Sequence, residues 1–325
     1  MTRSVSSVSF IEPPQHLISE ETNKEESCIP ENFSDELMCH VFSNFALDSR
    51  EMDSVARVCT EWKAVSSDQY IAALQLASYD SLNYKQIQNW QQLFKNRYGR
   101  DINISEVIKK CPNLKSLDLS GAPINDKDLL DISNAQLHLE ELTLSKCMFL
   151  IEPDFNGFSR LKILVLSSCS KLIDPKFHNL RFLKKLDLSD CYNLAATGFE
   201  RLKSLEELDL TRCAYLKNLV VKDLKFLRKL SMRNCISCKH LNFYGLTSLT
   251  ELDAGHCALE SLDLRWSPFL KIFKIDNCCN LKDLNLDGLN SIETICLNSR
   301  DLMNHSSLRR FYDNISFISQ VMLGE

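Results

Sequence analysis

The sequence predicts an α/β solenoid: a curved coil of short strands and connecting segments around one elongated core, with one parallel concave sheet, a small helical domain in front and a capping helix behind. Three observations predict it. The phrase L-x-x-L-x-L-x-x-C recurs from Leu139 to Cys278, its cysteines at Cys147, Cys169, Cys191, Cys213, Cys235, Cys257 and Cys278, spaced 22 residues five times and then 21. A period that regular marks units that bury their apolar faces only against their neighbours. Within each phrase the leucines alternate, the period of two expected of a short strand. Beyond it, apolar residues return at offsets of 11, 16 and 19 from the opening leucine, as in Leu150, Phe155 and Phe158 or Leu172, Phe177 and Leu180, and supply a second wall for the core.

Composition narrows the function classes. A chain of 325 residues with 44% apolar residues and a net charge of -5 has room for two domains and lacks the basic excess expected of a nucleic-acid or anionic-membrane binder. Half of the 14 cysteines occupy one repeat position, which points to packing in a reducing compartment and not to a disulfide framework. No signal-like apolar run or membrane-length segment is found, so a cytoplasmic or nuclear location is expected, with no membrane and no nucleic acid among the partners.

In chain order, residues 1–28 are rich in Ser and Glu and carry Pro13 and Pro14, a composition that reads as a disordered tail. Residues 29–75 read as a helical domain. Phe33, Leu37, Val41 and Phe45 fall at i, i+4, i+8 and i+12, with Phe42 beside them, one apolar helical stripe. Ser34 is placed to cap that helix, ahead of Asp35 and Glu36. Met52, Val55, Val58 and Trp62 make a second stripe. Residues 76–110 read as a rigid helical bridge, with Ile87, Trp90, Leu93 and Phe94 and then Ile104, Val107 and Ile108 at helical spacing.

The strings Phe33-Ser34-Asp35-Glu36-Leu37, Val41-Phe42-Ser43-Asn44-Phe45 and Val58-Cys59-Thr60-Glu61-Trp62 resemble the F-box pattern, with Ser34 where that family usually has proline. Trp90 to Phe94 and Arg97-Tyr98-Gly99 are similar to a run that often trails it. The resemblance implies that Phe33, Ser34, Leu37, Val41, Phe42, Phe45, Val58 and Trp62 dock on the Skp adaptor of a cullin-based (SCF-type) ubiquitin ligase, while the rest of the chain captures the protein to be ubiquitinated. Read from the residues alone, the same helices could instead shield the open end of the repeat stack.

The repeats open at Leu114, Leu139, Leu161, Leu183, Leu205, Leu227, Leu249, Leu270 and Ile292 and fill residues 111–300. They resemble the cysteine-containing class of leucine-rich repeats found behind F-boxes. At 22 residues they leave room for only a turn or two of helix opposite the strands; Pro153 and Pro175 oppose helix interiors there, and LKNLVVKDL and LKDLNLDGL could run extended. In residues 301–325, the spacing of Leu308, Phe311, Ile315, Ile318 and Met322 predicts an amphipathic capping helix.

No Gly-rich phosphate loop, nucleophile elbow or paired-carboxylate motif points to an enzyme. Cysteines two repeats apart are too distant to share a zinc ion, so each thiol is expected to act as a small apolar group and weak donor, with no metal and no cofactor. The side chains that select a partner are expected at offsets 2, 4 and 6 from each opening leucine. Among them Lys185, Asp187, Glu207, Asp209, Lys229, Arg233, Glu251, Asp253 and Lys274 are the candidates for a protein cargo, and the excess of acids favours one with exposed Lys or Arg. The expected function is therefore a substrate receptor of an SCF-type ligase, of a eukaryote or of a bacterium acting in a host cytosol. The alternative is a repeat scaffold or inhibitor with no ubiquitin role.

Overall fold

Each opening leucine is buried, and two residues later a strand of three residues begins whose middle leucine, or Phe273 after Leu270, also points inward; Ile292 leads instead into a strand of five. In the computed structural model, residues 79–98, 101–135, 138–195, 198–298 and 320–324 are described. The chain divides into two units, Met1–Ile71 and Ala72–Glu325, and all described residues lie in the second. The F-box-like strings at 33–62 therefore lie outside them.

The fold is a parallel-sheet β-solenoid. Strands β1 (Ser81–Asn83), β2 (Ser116–Asp118), β3 (Glu141–Thr143), β4 (Ile163–Val165), β5 (Lys185–Asp187) and β6 (Glu207–Asp209) stack in order. Past β6 each turn of the coil adds two strands. The long sheet continues through β8 (Lys229–Ser231), β10 (Glu251–Asp253), β12 (Ile272–Lys274) and β14 (Thr294–Asn298) to β15 (Gln320–Gly324). On the opposite wall β7 (Asn218–Val220), β9 (His240–Asn242), β11 (Ser261–Asp263) and β13 (Asp283–Asn285) form a four-stranded sheet. β7 and β13 lie in the two segments whose leucine alternation allowed an extended reading. Among the described residues helices are few: α1 (Tyr84–Tyr98), α2 (Ile104–Lys109) and α3 (Asp126–Ser133), plus a single 3-10 turn at Phe199–Arg201. Helix α3 starts where it does because Asn125 accepts from the backbone N–H of Lys127 and Asp128 while Asp128 accepts from that of Asn125, a reciprocal cap.

Two segments differ from expectation. Within the stretch read as a helical bridge, β1 pairs in parallel with β2, Leu82 opposite Leu117, and buries Leu82 in the common core; the array thus begins at Ser81, ahead of the repeat that opens at Leu114. At the other end the helix expected to reach Met322 is replaced over Gln320–Gly324 by β15, in register with all five residues of β14. The edge of β14 presents N–H and C=O groups that a parallel strand takes up and a helix does not. Residues 308–319 lie outside the described ones.

The core is one continuous leucine and phenylalanine stack. Phe155, Phe177 and Phe199, all at offset 16, form a spine with ring centroids 5.9 and 5.8 Å apart. The cysteines form a second ladder. The thiols of Cys147, Cys169, Cys191, Cys213, Cys235, Cys257 and Cys278 each donate to a carbonyl of the preceding repeat, at 3.0 to 3.2 Å. The residue before each is left-handed: Lys146, Ser168, Asp190, Arg212, Asn234, His256 and Asn277 have φ of 57 to 64°, and Gly121 holds the same place ahead of Ala122. That turn sends the chain away from the strand at a fixed position and brings the thiol under the carbonyl it serves. Burial pushes the thiols of Cys147 and Cys191 up to about 12, so they are packing groups and not nucleophiles.

Candidate functional site

The strand positions that point away from the core make a charged face, and the sequence-predicted cargo residues meet there. Lys185, Asp187, Glu207, Asp209, Lys229, Glu251, Asp253 and Lys274 line one groove of about 310 Å³ across β5, β6, β8, β10 and β12. Arg233, the ninth, lies in the turn after β8 and reaches over to Asp253. Parallel register brings the groups together: Glu207 sits opposite Lys185 on one side and Lys229 on the other, and Lys229 opposite Glu251.

Much of this charge is spent within the face. Lys185 pairs with Glu207 at 3.5 Å, Lys229 with Glu251 at 3.6 Å and Lys274 with Asp253 at 3.6 Å. Among the described residues Asp187 and Asp209 carry no ion pair, although they face each other across β5 and β6. Both are held still, since Asp187 accepts the N–H and hydroxyl of Ser189, and Asp209 accepts the N–H of Thr211. These turns after the strand are local side-chain-to-backbone closures. The acidic character expected of the whole face therefore narrows to two preorganised carboxylates.

The shortest ion pair on this face joins Arg233 to Asp276, which stands at offset 6 from Leu270 and was not among the cargo candidates. Arg233 donates two hydrogen bonds to Asp276, at 3.0 and 2.7 Å, and His256 lies 3.2 Å from the same carboxylate. Gly255 lies beneath: a Cβ there would come within 2.4 Å of the Arg233 guanidinium, so glycine permits the close approach. Burial pushes the Asp276 carboxyl up, but the Arg233 hydrogen bonds and charge, with His256, outweigh it and hold Asp276 below the usual aspartate range. A group depressed in the folded state stabilises above its unfolded pKa of ~3.9 and loses that contribution as pH falls through the folded value. Asp276→Asn is thus expected to lower the urea midpoint at pH 7 and to lose its deficit on acidification below about pH 4; an equal deficit at both pH values would show that the pair does not act through its charge.

No protein-family model matches the sequence, and no curated protein matches it. Solved structures do. An internalin (inlF) from Listeria monocytogenes is 14% identical, over 75% of this chain and 91% of that one, with a TM-score of 0.37. Internalin C2 from the same organism is 16% identical, over 69% and 83%, with a TM-score of 0.35. The functional domain of InlJ from Listeria monocytogenes, described as including a cysteine ladder, is 15% identical over 69% of each chain, with a TM-score of 0.26. Identities at this level bear on fold alone.

Among the described residues no group of three His, Cys, Asp or Glu is placed to hold a metal ion, and no helix is long and apolar enough to cross a membrane. What the face offers chemically is hydrogen bonding and charge on a rigid backbone. Cross-strand pairing was beyond sequence reasoning because it depends on which residues come opposite each other, and the 21-residue step after Cys257 breaks the simple count of 22.

Proposed function

We propose that this chain is a non-catalytic receptor that holds a protein cargo on the outward face of its long sheet, and that residues 33–62 tether it to the Skp adaptor of a cullin-based ubiquitin ligase. The observation that carries the receptor half is the groove across β5 to β12, where two fixed carboxylates without a cation stand among self-paired charges. Such a site favours a cargo that brings Lys or Arg to Asp187 and Asp209 and rejects one that brings acids. Its backbone is fully laddered, so binding does not require the receptor to order itself first.

The adaptor half rests on Phe33, Leu37, Val41, Phe42, Phe45, Val58 and Trp62, the residues that match the F-box pattern. In this reading the chain works in the cytosol or nucleus, or in a host cytosol if a bacterium makes it. The test is retention of purified Skp by the purified full chain. The wild type is expected to retain it, and Leu37→Asp with Val41→Asp is expected to abolish retention while the urea midpoint of the array stays unchanged. A wild-type chain that is folded and retains no Skp would sink the adaptor half and leave a repeat scaffold or inhibitor with no ubiquitin role.

A further inference from the structure

The loops that enter the strands of the long sheet build a second surface. It consists of the two residues before and the one after each opening leucine. Between Lys115 and Glu293 these positions carry nine cations, Lys115, Arg160, Lys162, Arg181, Lys184, Lys203, Lys225, Arg228 and Lys271, against the carboxylates of Glu140, Glu206 and Glu293. In a chain of net charge -5 this is a marked segregation. Each carboxylate is already taken: Glu140 by Lys162, Glu206 by Lys184 and Glu293 by Lys271, at 2.6 to 2.9 Å. Among the described residues Lys115, Arg160, Arg181, Lys203, Lys225 and Arg228 are in no ion pair, and all six are exposed.

Aromatic rings stand in the same row. Phe182, Phe226 and Phe269 occupy the position just before the opening leucine and are 59%, 61% and 61% exposed, whereas the intervening repeats carry Ser204, Ser248 and Ser291 there. The backbone beside the row is laddered repeat to repeat, from Lys162 N–H on Glu140 through Lys184, Glu206, Arg228, Thr250 and Lys271 to Glu293. At ~4.8 Å per parallel strand, rings two repeats apart recur about every 9.6 Å.

We propose that this flank is a docking stripe for an extended acidic peptide of a partner protein, in a polyproline II conformation with an apolar side chain at every third residue. Three residues of that helix advance ~9.3 Å, close to the spacing of the phenylalanines, and bring every third side chain to the same side. The carboxylates between them meet Arg181, Lys225 and Arg228 beside Phe182 and Phe226, and Lys203 in the turn between those two. A narrow line of charge with rings at a fixed interval matches a linear polyanion bearing apolar groups. The stripe is a different surface from the groove and does not depend on the adaptor reading.

The test is fluorescence anisotropy of a labelled peptide of repeated Leu-Pro-Glu triplets against the full chain. Saturable binding that weakens as salt is raised is expected. The triple variant Phe182→Ser, Phe226→Ser, Phe269→Ser, which installs the residue the intervening repeats already carry, is expected to weaken it at least about tenfold. Arg181→Glu with Lys225→Glu is expected to do the same, while Asp209→Asn in the groove leaves it within about twofold. A peptide of equal composition, scrambled so that leucine no longer recurs at every third residue, should bind at least about fivefold more weakly. No binding by the wild type, or affinity indifferent to the phenylalanines, would overturn the proposal. So would phenylalanine-dependent binding of single-stranded DNA or phosphatidylserine vesicles with none of the peptide.

Discussion

Iodoacetamide added to the folded protein near pH 8 is expected to alkylate Cys279 well ahead of Cys147, Cys169 or Cys191. Cys279 is exposed, and the other three are buried. Desolvation pushes Cys169 up to about 11 and Cys147 and Cys191 up to about 12, which leaves a thiolate fraction on the order of 0.0001 at pH 8 for the last two. Burial raises Cys213 further, and Cys257 is raised by the neighbouring Cys235 thiol and by burial. A difference in rate on the order of a hundredfold or more should separate the exposed thiol from these, read by mass spectrometry of tryptic peptides. In urea the difference should vanish. Equal labelling of Cys191 and Cys279 in the native protein would mean that the ladder opens and that its hydrogen bonds to the preceding repeat are not kept.

Replacing Phe177 by Ala should be among the most damaging single changes in the array. Its ring lies between those of Phe155 and Phe199, and little of it is exposed. Truncating a buried aromatic costs ~3–5 kcal/mol. In a stack where each repeat touches only its neighbours, the vacancy also weakens the two interfaces that flank it. Urea unfolding followed by circular dichroism should show the midpoint lowered by about 1–2 M for an m-value near 2–3 kcal/mol/M. A second, earlier transition would mean that the repeats on either side of Phe177 have uncoupled. An unchanged midpoint would show that the phenylalanine spine does not carry the fold.

The repeat period made the core legible. Every opening leucine and every apolar residue assigned to offsets 11, 16 and 19 is buried, because periodic apolar spacing is the physical cause of the coil. The cargo candidates were legible as a set, since offsets 2 and 4 fall on strand residues that point away from the leucines. Their pairing was not. Arg233 and Asp276 are 43 residues apart and meet only because two turns of the coil lie between them, a relation set by three-dimensional register. The ends were illegible for a related reason. Ser81–Asn83 and Gln320–Gly324 are strands because a neighbouring edge offers them partners, while their own composition gives no such instruction. The basic flank escaped notice because it is scattered in sequence and its positive charge is masked in the net total.

From β7 to β14 the coil rises by one strand spacing on both of its walls at once. A helix on one wall would demand roughly twice that spacing and force the stack to bend toward the sheet. Equal spacing on the two sides removes that cause of bending from this half of the array. Residues at one repeat position then mark even graduations along it, and a ligand of the wrong pitch falls out of step within a few repeats.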